Sequence, residues 1–246
     1  MSFSIRLGNF LYKHAFWLYK PLYAQFKEKQ DAYEIELLER FVHKGDTVLD
    51  IGANIGFYAG ILSELVGETG KVHCFEPDPG NFSRLKAGYG SCQNLVLHNK
   101  AVGPQTGTIK IYTSRQLNVD HRTYKPDDYE KEIEIPSQSI DDFKEAGQIN
   151  FIKMDIQGFE MFAMQGMLKT LDQNQHIRIL SEFWPYGLKK SGSSAEAYFH
   201  FLRQRGFYVY LLKDKFLEEL DEHQVKILAP MGEAQYFNIL ASRERV

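Results

Sequence analysis

The stretch VLDIGANIGFYAG, residues 48–60, decides the fold. An apolar strand passes through Asp50 into Gly52, a second glycine follows at Gly56, and a helical pattern begins directly after it. In a parallel sheet, such a strand–turn–helix unit binds a ligand at the carboxyl end of the strand, beside free N–H groups of the helix. The stretch therefore predicts an α/β domain with a ligand site at this turn.

The residues of the turn also indicate the kind of ligand. A dinucleotide fold carries G-x-G-x-x-G, whereas position 54 is Asn here, so the glycines that bring a backbone to a pyrophosphate are incomplete. Asp50 would repel a phosphate but can hold an ammonium group. S-adenosylmethionine has an α-ammonium, a carboxylate and no phosphate, so Asp50 and the turn amides suit it. Glu76 lies about 20 residues further on, where an acid binds ribose hydroxyls in both S-adenosylmethionine and NAD sites.

The rest of the chain alternates strand and helix patterns, which predicts a mostly parallel sheet with helices on both faces. Residues 94–103 read as a third strand that ends near Asn99 and Ala101, beside the expected adenine. Two β segments then flank a polar stretch, which predicts a β insertion at about 107–136. The last two strands lack a clear intervening helix, and an antiparallel edge strand would explain that.

A helical arm is predicted at residues 1–30, ahead of a main domain at 31–246. Its first 27 residues carry four Lys or Arg side chains among many aromatics and no acid. One interpretation is a helix that packs on the main domain or on a second subunit, which allows a homodimer. The alternative is a basic, aromatic helix in peripheral contact with a membrane. Pro21 predicts a break or kink in it.

Composition excludes several classes of protein. The net charge of -3 gives no reason to expect a nucleic-acid partner. Cys74 and Cys92 have no metal-ligand spacing, and free thiols suit a reducing, cytoplasmic location. No apolar run approaches the roughly 20 residues of a membrane span.

Three stretches resemble the FkbM family of class I methyltransferases. They are VLDIGANIGFYA (48–59), CFEPDPGNFSRLKAG (74–88), and SIDDF followed by INFIKMDIQGFEMFAMQGM (139–143 and 149–167). The resemblance extends from about residue 33 to about residue 212. Where the family commonly has Glu, this chain has Gln157, which weakens or moves any role of that acid in holding a metal or a substrate hydroxyl.

The resemblance implies a Rossmann-like class I methyltransferase fold with a seven-stranded sheet in the order 3-2-1-4-5-7-6. It also implies methyl transfer from S-adenosylmethionine to a small-molecule acceptor, typically to oxygen on a sugar, a polyketide or another natural product. N-methylation stays open. The residues that we expect to contact the cofactor are Asp50, Gly52, Ala53, Asn54, Gly56, Phe57, Glu76, Pro77, Asn99, Ala101 and Asp155.

A hydroxyl acceptor needs a base within reach, or a metal that lowers its pKa. Asp155 and Glu182 end the fourth and fifth strands, which are neighbours in the expected order, so either could be the base. Together they could hold a divalent cation such as Mg²⁺. His121, in the polar insertion, is the third catalytic candidate. Two other hypotheses are a nicotinamide oxidoreductase and a non-catalytic adapter that keeps the fold.

Overall fold

The computed structural model describes residues 3–114, 122–126 and 129–246. The helices within these ranges are α1 (Phe3–His14), α2 (Phe16–Gln30), α3 (Ala32–Phe41), α4 (Phe57–Val66), α5 (Pro79–Tyr89), α6 (Glu160–Gln165), α7 (Leu168–Gln173), α8 (Pro185–Lys190), α9 (Ala195–Gln204) and α10 (Glu222–Leu228). The strands are β1 (Thr47–Ile51), β2 (Lys71–Phe75), β3 (Leu95–His98), β4 (Ala101–Val102), β5 (Gly107–Ser114), β6 (Tyr129–Gln138), β7 (Phe151–Met154), β8 (Arg178–Phe183), β9 (Tyr208–Lys213), β10 (Phe216–Glu219) and β11 (Phe237–Ser242).

The main sheet has the strand order β10-β9-β11-β8-β7-β1-β2-β3. Strands β3, β2, β1, β7 and β8 are parallel to one another, and β11 is antiparallel to both β8 and β9. When the strands of this sheet other than β10 are numbered along the chain, the predicted order 3-2-1-4-5-7-6 is confirmed. An eighth strand, β10, extends it.

Strand β1 shows why both faces of the sheet are covered. Leu49 and Ile51 lie in one buried cluster with Met164 of α6, whereas Val48 lies in a second cluster with Leu62 of α4. Successive side chains of a strand point to opposite faces, so both faces must be apolar. Asp50 shares the face of Val48 and is the polar exception.

The chain near the expected third strand differs from its prediction. Residues 94–103 form two short strands, because β3 stays in the main sheet while β4 pairs with β6 in a separate sheet of order β4-β6-β5. The Asn99 side chain separates the two strands by donating to the carbonyls of Glu76 (2.9 Å) and Pro77 (3.0 Å). The two predicted β segments after it are confirmed as the antiparallel pair β5 and β6.

The C-terminal region also corrects an expectation. The edge strand is β10, which forms a hairpin with β9, and the last strand β11 inserts between β8 and β9. Helix α10 provides the return connection, and a capping box at Asp221 and Gln224 starts it. The sequence pattern missed this helix because it has only seven residues.

Helices α1 and α2 contact the main domain through helix α5. The Tyr12 hydroxyl donates to the Asn81 side chain, and the Arg84 guanidinium stacks over the Tyr12 ring with its carbon 3.6 Å from the centroid. Helix α2 continues through Pro21, and the break lies at Ala15 instead. No helix in the described ranges is both long enough and apolar enough to cross a membrane.

Candidate active site

The turn after β1 has a left-handed backbone at three positions, two of which are glycines. Gly52, Asn54 and Gly56 have φ angles of 87°, 51° and 93°, in the left-handed region. A Cβ at Gly52 would overlap the carbonyl oxygen of Asp155, so glycine lets the ends of β1 and β7 approach each other. A Cβ at Gly56 would instead meet the Tyr89 ring, so that glycine serves the packing of α4 against α5.

The amides of this turn donate within the chain. The N–H groups of Gly52 and Ala53 both donate to the Phe75 carbonyl, at 2.9 and 3.0 Å. The Asn54 N–H donates to Glu76 Oε2 at 2.8 Å, and the Gly56 N–H donates to the Ala53 carbonyl. The first three of these amides therefore join the first two strand ends, and the fourth closes the turn itself. The expectation that turn amides would hold a carboxylate does not fit these four.

Asp50 is the most unusual acid of the structure. Its side chain is fully buried, and no described residue donates a hydrogen bond to either carboxylate oxygen. Burial is the main cause that raises its pKa to about 6, and the nearby Lys153 ammonium opposes that rise. A carboxylate in this position lacks the hydrogen-bond donors that a buried charge needs.

Glu76 ends β2 in a second buried position. Its carboxylate oxygens accept the N–H groups of Asn54 and Asp78, each at 2.8 Å. Burial raises its pKa to about 8, although these two hydrogen bonds favour the charged form. Glu76 therefore connects the turn to the end of β2, and each oxygen keeps acceptor capacity for a further donor.

A cavity of about 1140 Å³ opens at the carboxyl ends of β1, β2, β7 and β8. The predicted cofactor residues that line it are Gly52, Ala53, Asn54, Phe57, Glu76, Pro77, Ala101 and Asp155. Asp50, Gly56 and Asn99 lie outside the lining that the described residues form. For Asn99 the reason is visible, because its amide is engaged by two backbone carbonyls.

The two predicted acids of strands four and five line this same cavity. Asp155 follows β7, is 40% exposed at its side chain, and accepts a hydrogen bond from Gln157 Nε2 at 2.9 Å. Glu182 lies in β8 and is buried. Within the described ranges, no three His, Cys, Asp or Glu side chains form a group that could hold a metal ion. The two acids by themselves offer a cation only part of a ligand set.

Comparison with known proteins identifies the family. The model of the methyltransferase FkbM domain matches residues 50–209, which is well over half of the chain. The chain belongs to this family. No curated protein sequence matches it significantly.

Solved structures share the fold of this FkbM-domain methyltransferase. A proposed rRNA methylase from Clostridium thermocellum is 12% identical, with a TM-score of 0.52, over 86% of this chain and 95% of that one. A proposed methyltransferase from Streptococcus mutans, solved with SAH, is also 12% identical, with a TM-score of 0.50, over 85% of this chain and 94% of that one. At this identity the likeness concerns the fold alone.

Two buried residues of this FkbM-domain protein, Lys153 and Tyr58, line the cavity although the sequence pattern did not single them out. Lys153 is buried in β7, with its Nζ 3.8 Å from Asp155 Oδ2 and 4.5 Å from the centre of the Tyr58 ring. The Tyr58 hydroxyl donates to Asp31 Oδ2 at 2.6 Å, and Lys27 pairs with the same carboxylate. A lysine inside the apolar strand FIKM was the signal available in the sequence, because a buried lysine is rare without a partner.

The aromatic residues after β8 form another wall of the cavity. Trp184 is buried and its Nε1 donates to the Glu233 carbonyl at 3.0 Å, while the Tyr186 ring lies 5.7 Å away. Arg122 stacks over Trp184 at 5.1 Å and pairs with Glu233 Oε1 at 2.9 Å. The Arg122 guanidinium is thus engaged by an ion pair and a ring face of the chain itself.

His121 is the third catalytic candidate from the sequence, and Glu160 is a further acid close to the loop after β7. His121 lies outside the described residues, so its role stays a prediction. Glu160 is fully buried and its Oε1 accepts the N–H groups of Ile156 (3.1 Å) and Gly158 (3.2 Å), which closes the loop after β7. Glu160 therefore holds the loop that carries Gln157 rather than facing the cavity.

Proposed function

We propose that this protein is an S-adenosylmethionine-dependent methyltransferase that methylates a hydroxyl oxygen of a saccharide or another natural-product small molecule. The carrying observation is the cavity at the strand ends, which combines the cofactor-type acid Glu76 with a separate, aromatic and acidic wall. Its volume of about 1140 Å³ exceeds the roughly 300–1,000 Å³ of most single-ligand pockets, as two ligands require. We also propose that residues 31–246 form one domain with an insertion at about 107–136.

The residues at the first turn fit S-adenosylmethionine. Asp50 has two buried oxygens with no donor among the described residues, and Asn54 Oδ1 is buried in the same condition. Asp50 lies outside the cavity lining but two residues before Gly52, which lines it, so an α-ammonium that donates a hydrogen bond to Asp50 would enter beside this turn. Ribose hydroxyls would use the remaining acceptor capacity of Glu76. When bound, S-adenosylmethionine supplies an electrophilic methyl group. The chain's own residues then have to orient the acceptor and take up its proton.

The opposite wall supports a hydroxylated acceptor. Trp184 and Tyr186 offer ring faces on which a sugar can stack, and Asp155 and Glu182 line the cavity between these rings and the cofactor turn. In the proposed reaction Asp155 would accept the hydroxyl proton while the acceptor oxygen bonds to the methyl carbon, whose bond to the sulfonium sulfur would break and leave S-adenosylhomocysteine. Gln157 Nε2 and Lys153 Nζ hold the Asp155 carboxylate in place from two sides. Glu182 is the second candidate for the base.

The first experiment is calorimetric titration of the protein with S-adenosylmethionine and, in parallel, with NAD. Glu76→Gln tests the ribose contact, and Glu160→Gln is the matched control, because Glu160 is an equally buried acid outside the cavity lining. We expect S-adenosylmethionine to bind, Glu76→Gln to weaken binding about tenfold, and the control to change it little. Binding of NAD alone would support the oxidoreductase hypothesis, and binding of neither ligand would support the adapter.

The second experiment determines the acceptor atom. Methyl-labelled S-adenosylmethionine is incubated with matched pairs of sugars that differ by a hydroxyl or an amino group at one position, with Mg²⁺ or with a chelator. Label in the hydroxyl member of a pair supports the proposal, and label confined to the amino member would establish N-methylation instead. Loss of activity with the chelator would assign a cation to the site.

A further inference from the structure

The outer face of the N-terminal arm, formed by α1 and α2, is unusually apolar. Ten large hydrophobic side chains are strongly exposed in the described part of the chain, and six of them lie in this arm. These six are Leu7, Phe10, Trp17, Leu18, Leu22 and Phe26. A surface with this many exposed apolar residues marks an interaction site more often than chance exposure.

The arrangement of these residues follows the helices. On α2, Leu18, Leu22 and Phe26 recur every four residues and so share one side, while Tyr19 and Tyr23 face inward and stack on each other at 5.4 Å. On α1, Leu7 and Phe10 are three residues apart and lie on the side away from buried Tyr12. Helix α1 thus buries Tyr12 against the protein, helix α2 keeps Tyr19 and Tyr23 half-buried, and both helices present their exposed apolar residues outward.

The charge of the arm indicates what covers this face. Arg6 and Lys13 are exposed on α1 beside Leu7 and Phe10, and the first acidic residue of the chain is Glu28. A two-fold contact between two arms would bring two sets of cations together, with Glu28 as the only acid of each arm to pair with them. An anionic bilayer provides the opposite charge and an interface in which Trp and Phe are favoured.

We propose that the outer face of α1 and α2 docks this protein on an anionic membrane surface. The position of the cavity gives this docking a purpose. Phe26 belongs to the exposed set and also lines the cavity, and its helix neighbours Tyr23, Lys27 and Gln30 line it too. Docking through α2 therefore brings the cavity mouth to the bilayer, where an acceptor attached to a lipid could enter. The docking itself does not depend on the proposed reaction.

The test is co-sedimentation of the full chain with vesicles of phosphatidylcholine alone and of phosphatidylcholine with about 30% phosphatidylglycerol. We expect binding to the anionic vesicles, at least about tenfold weaker binding to the neutral ones, and release by salt. The double substitution Phe10→Ser with Trp17→Ser should reduce binding at least about tenfold. Both side chains are exposed, at 59% and 76%, so the fold should persist.

The matched control is Phe216→Ser, because Phe216 is 58% exposed but lies on the edge hairpin of the sheet. It should bind vesicles like the unsubstituted protein. Should the double variant fail to fold, Arg6→Glu with Lys13→Glu tests the same surface and should abolish the preference for anionic vesicles. Equal binding to both vesicle types, no binding, or unchanged binding of the variants would each overturn the proposal. A concentration-dependent dimer that is lost in the double variant, without vesicle binding, would assign the face to a second copy.

Discussion

Substituting Asp50 by Asn separates the functional from the structural interpretation of the buried acid at the first turn. The side chains have the same shape, and neither oxygen of Asp50 accepts a hydrogen bond from a described residue. If Asp50 exists to hold a cofactor ammonium, Asp50→Asn should stabilise the ligand-free protein and weaken S-adenosylmethionine binding. If Asp50 were a structural residue, both quantities would fall.

The expected gain in stability follows from the pKa. The folded protein raises the Asp50 pKa from 3.8 to about 6, chiefly through burial, so folding disfavours the charged form. A tenfold shift in an ionisation equilibrium is about 1.4 kcal/mol, so the cost to the free energy of unfolding is about 3 kcal/mol above pH 6. At pH 7.5, Asp50→Asn should therefore raise the melting temperature by about 6–12 °C.

The stability gained by Asp50→Asn should depend on pH. Because the folded pKa is raised, the cost is fully present above about pH 6 and disappears as the pH falls through 3.8. The difference in unfolding free energy between Asp50→Asn and the unsubstituted protein should thus shrink to near zero at pH 3.8 and below. Taking this difference removes the contributions of other titrating groups that both proteins share.

The assay is chemical denaturation between about pH 3 and pH 8, with and without S-adenosylmethionine. The control is Asp172→Asn, which removes the same charge from an exposed position. The substitution at Asp50 should weaken cofactor binding about tenfold or more, since hydrogen bonds to charged groups contribute about 1.5–3 kcal/mol. A destabilised Asp50→Asn protein at pH 7.5, or one with unchanged cofactor affinity, would refute this reasoning.

Three further predictions concern the strand ends and the core. Gly52→Ala should destabilise the protein by more than about 3 kcal/mol in a denaturant titration, because its Cβ would overlap the Asp155 carbonyl at a φ of 87°. A Cβ at Gly107 would enter open space, so Gly107→Ala should be nearly neutral. Asp155→Asn should lower the rate of methyl transfer about 100-fold or more while calorimetry shows little change in cofactor affinity; an unchanged rate would move the base elsewhere. Burial lowers the pKa of His73 and of His98 to about 4. Because the unfolded chain is protonated at these histidines first, the protein loses stability as the pH falls from 6.5 to 4. His73→Phe should reduce this loss when the melting temperature is measured against pH.

The order of the sheet could be predicted because it depends on features that one sequence contains. Apolar strands alternating with helices require a parallel sheet covered on both faces, and the acid–glycine turn locates its ligand-binding edge. The short C-terminal elements were less accessible. Hairpin β9–β10 and helix α10 have few residues. The pairing of β10 with β9, and of β9 with β11, determines where the hairpin lies, rather than a local sequence pattern.

The site was predicted less completely, because hydrogen-bond partners depend on the register between strands. Asp155 and Glu182 could be brought together from the strand order alone. That the N–H groups of Gly52 and Ala53 donate to Phe75 follows only from the pairing of β1 with β2. Likewise, Asn99 sits at a strand end, as predicted, yet its side chain is used by the backbone of the neighbouring strand end.

The buried acids at the strand ends differ in how much of their cost in stability the fold recovers. Asp50, Glu76 and Glu160 all have pKa values raised by burial, to about 6, 8 and 7, so each costs stability when ionised at neutral pH. Glu160 recovers part of this cost by holding the loop after β7, and Glu76 by joining two strand ends. At Asp50, no hydrogen bond from a described residue offsets this cost. A fold retains such a cost most readily where a bound group offsets it. We therefore expect S-adenosylmethionine to stabilise this protein most strongly at the pH where Asp50 is ionised, above about pH 6.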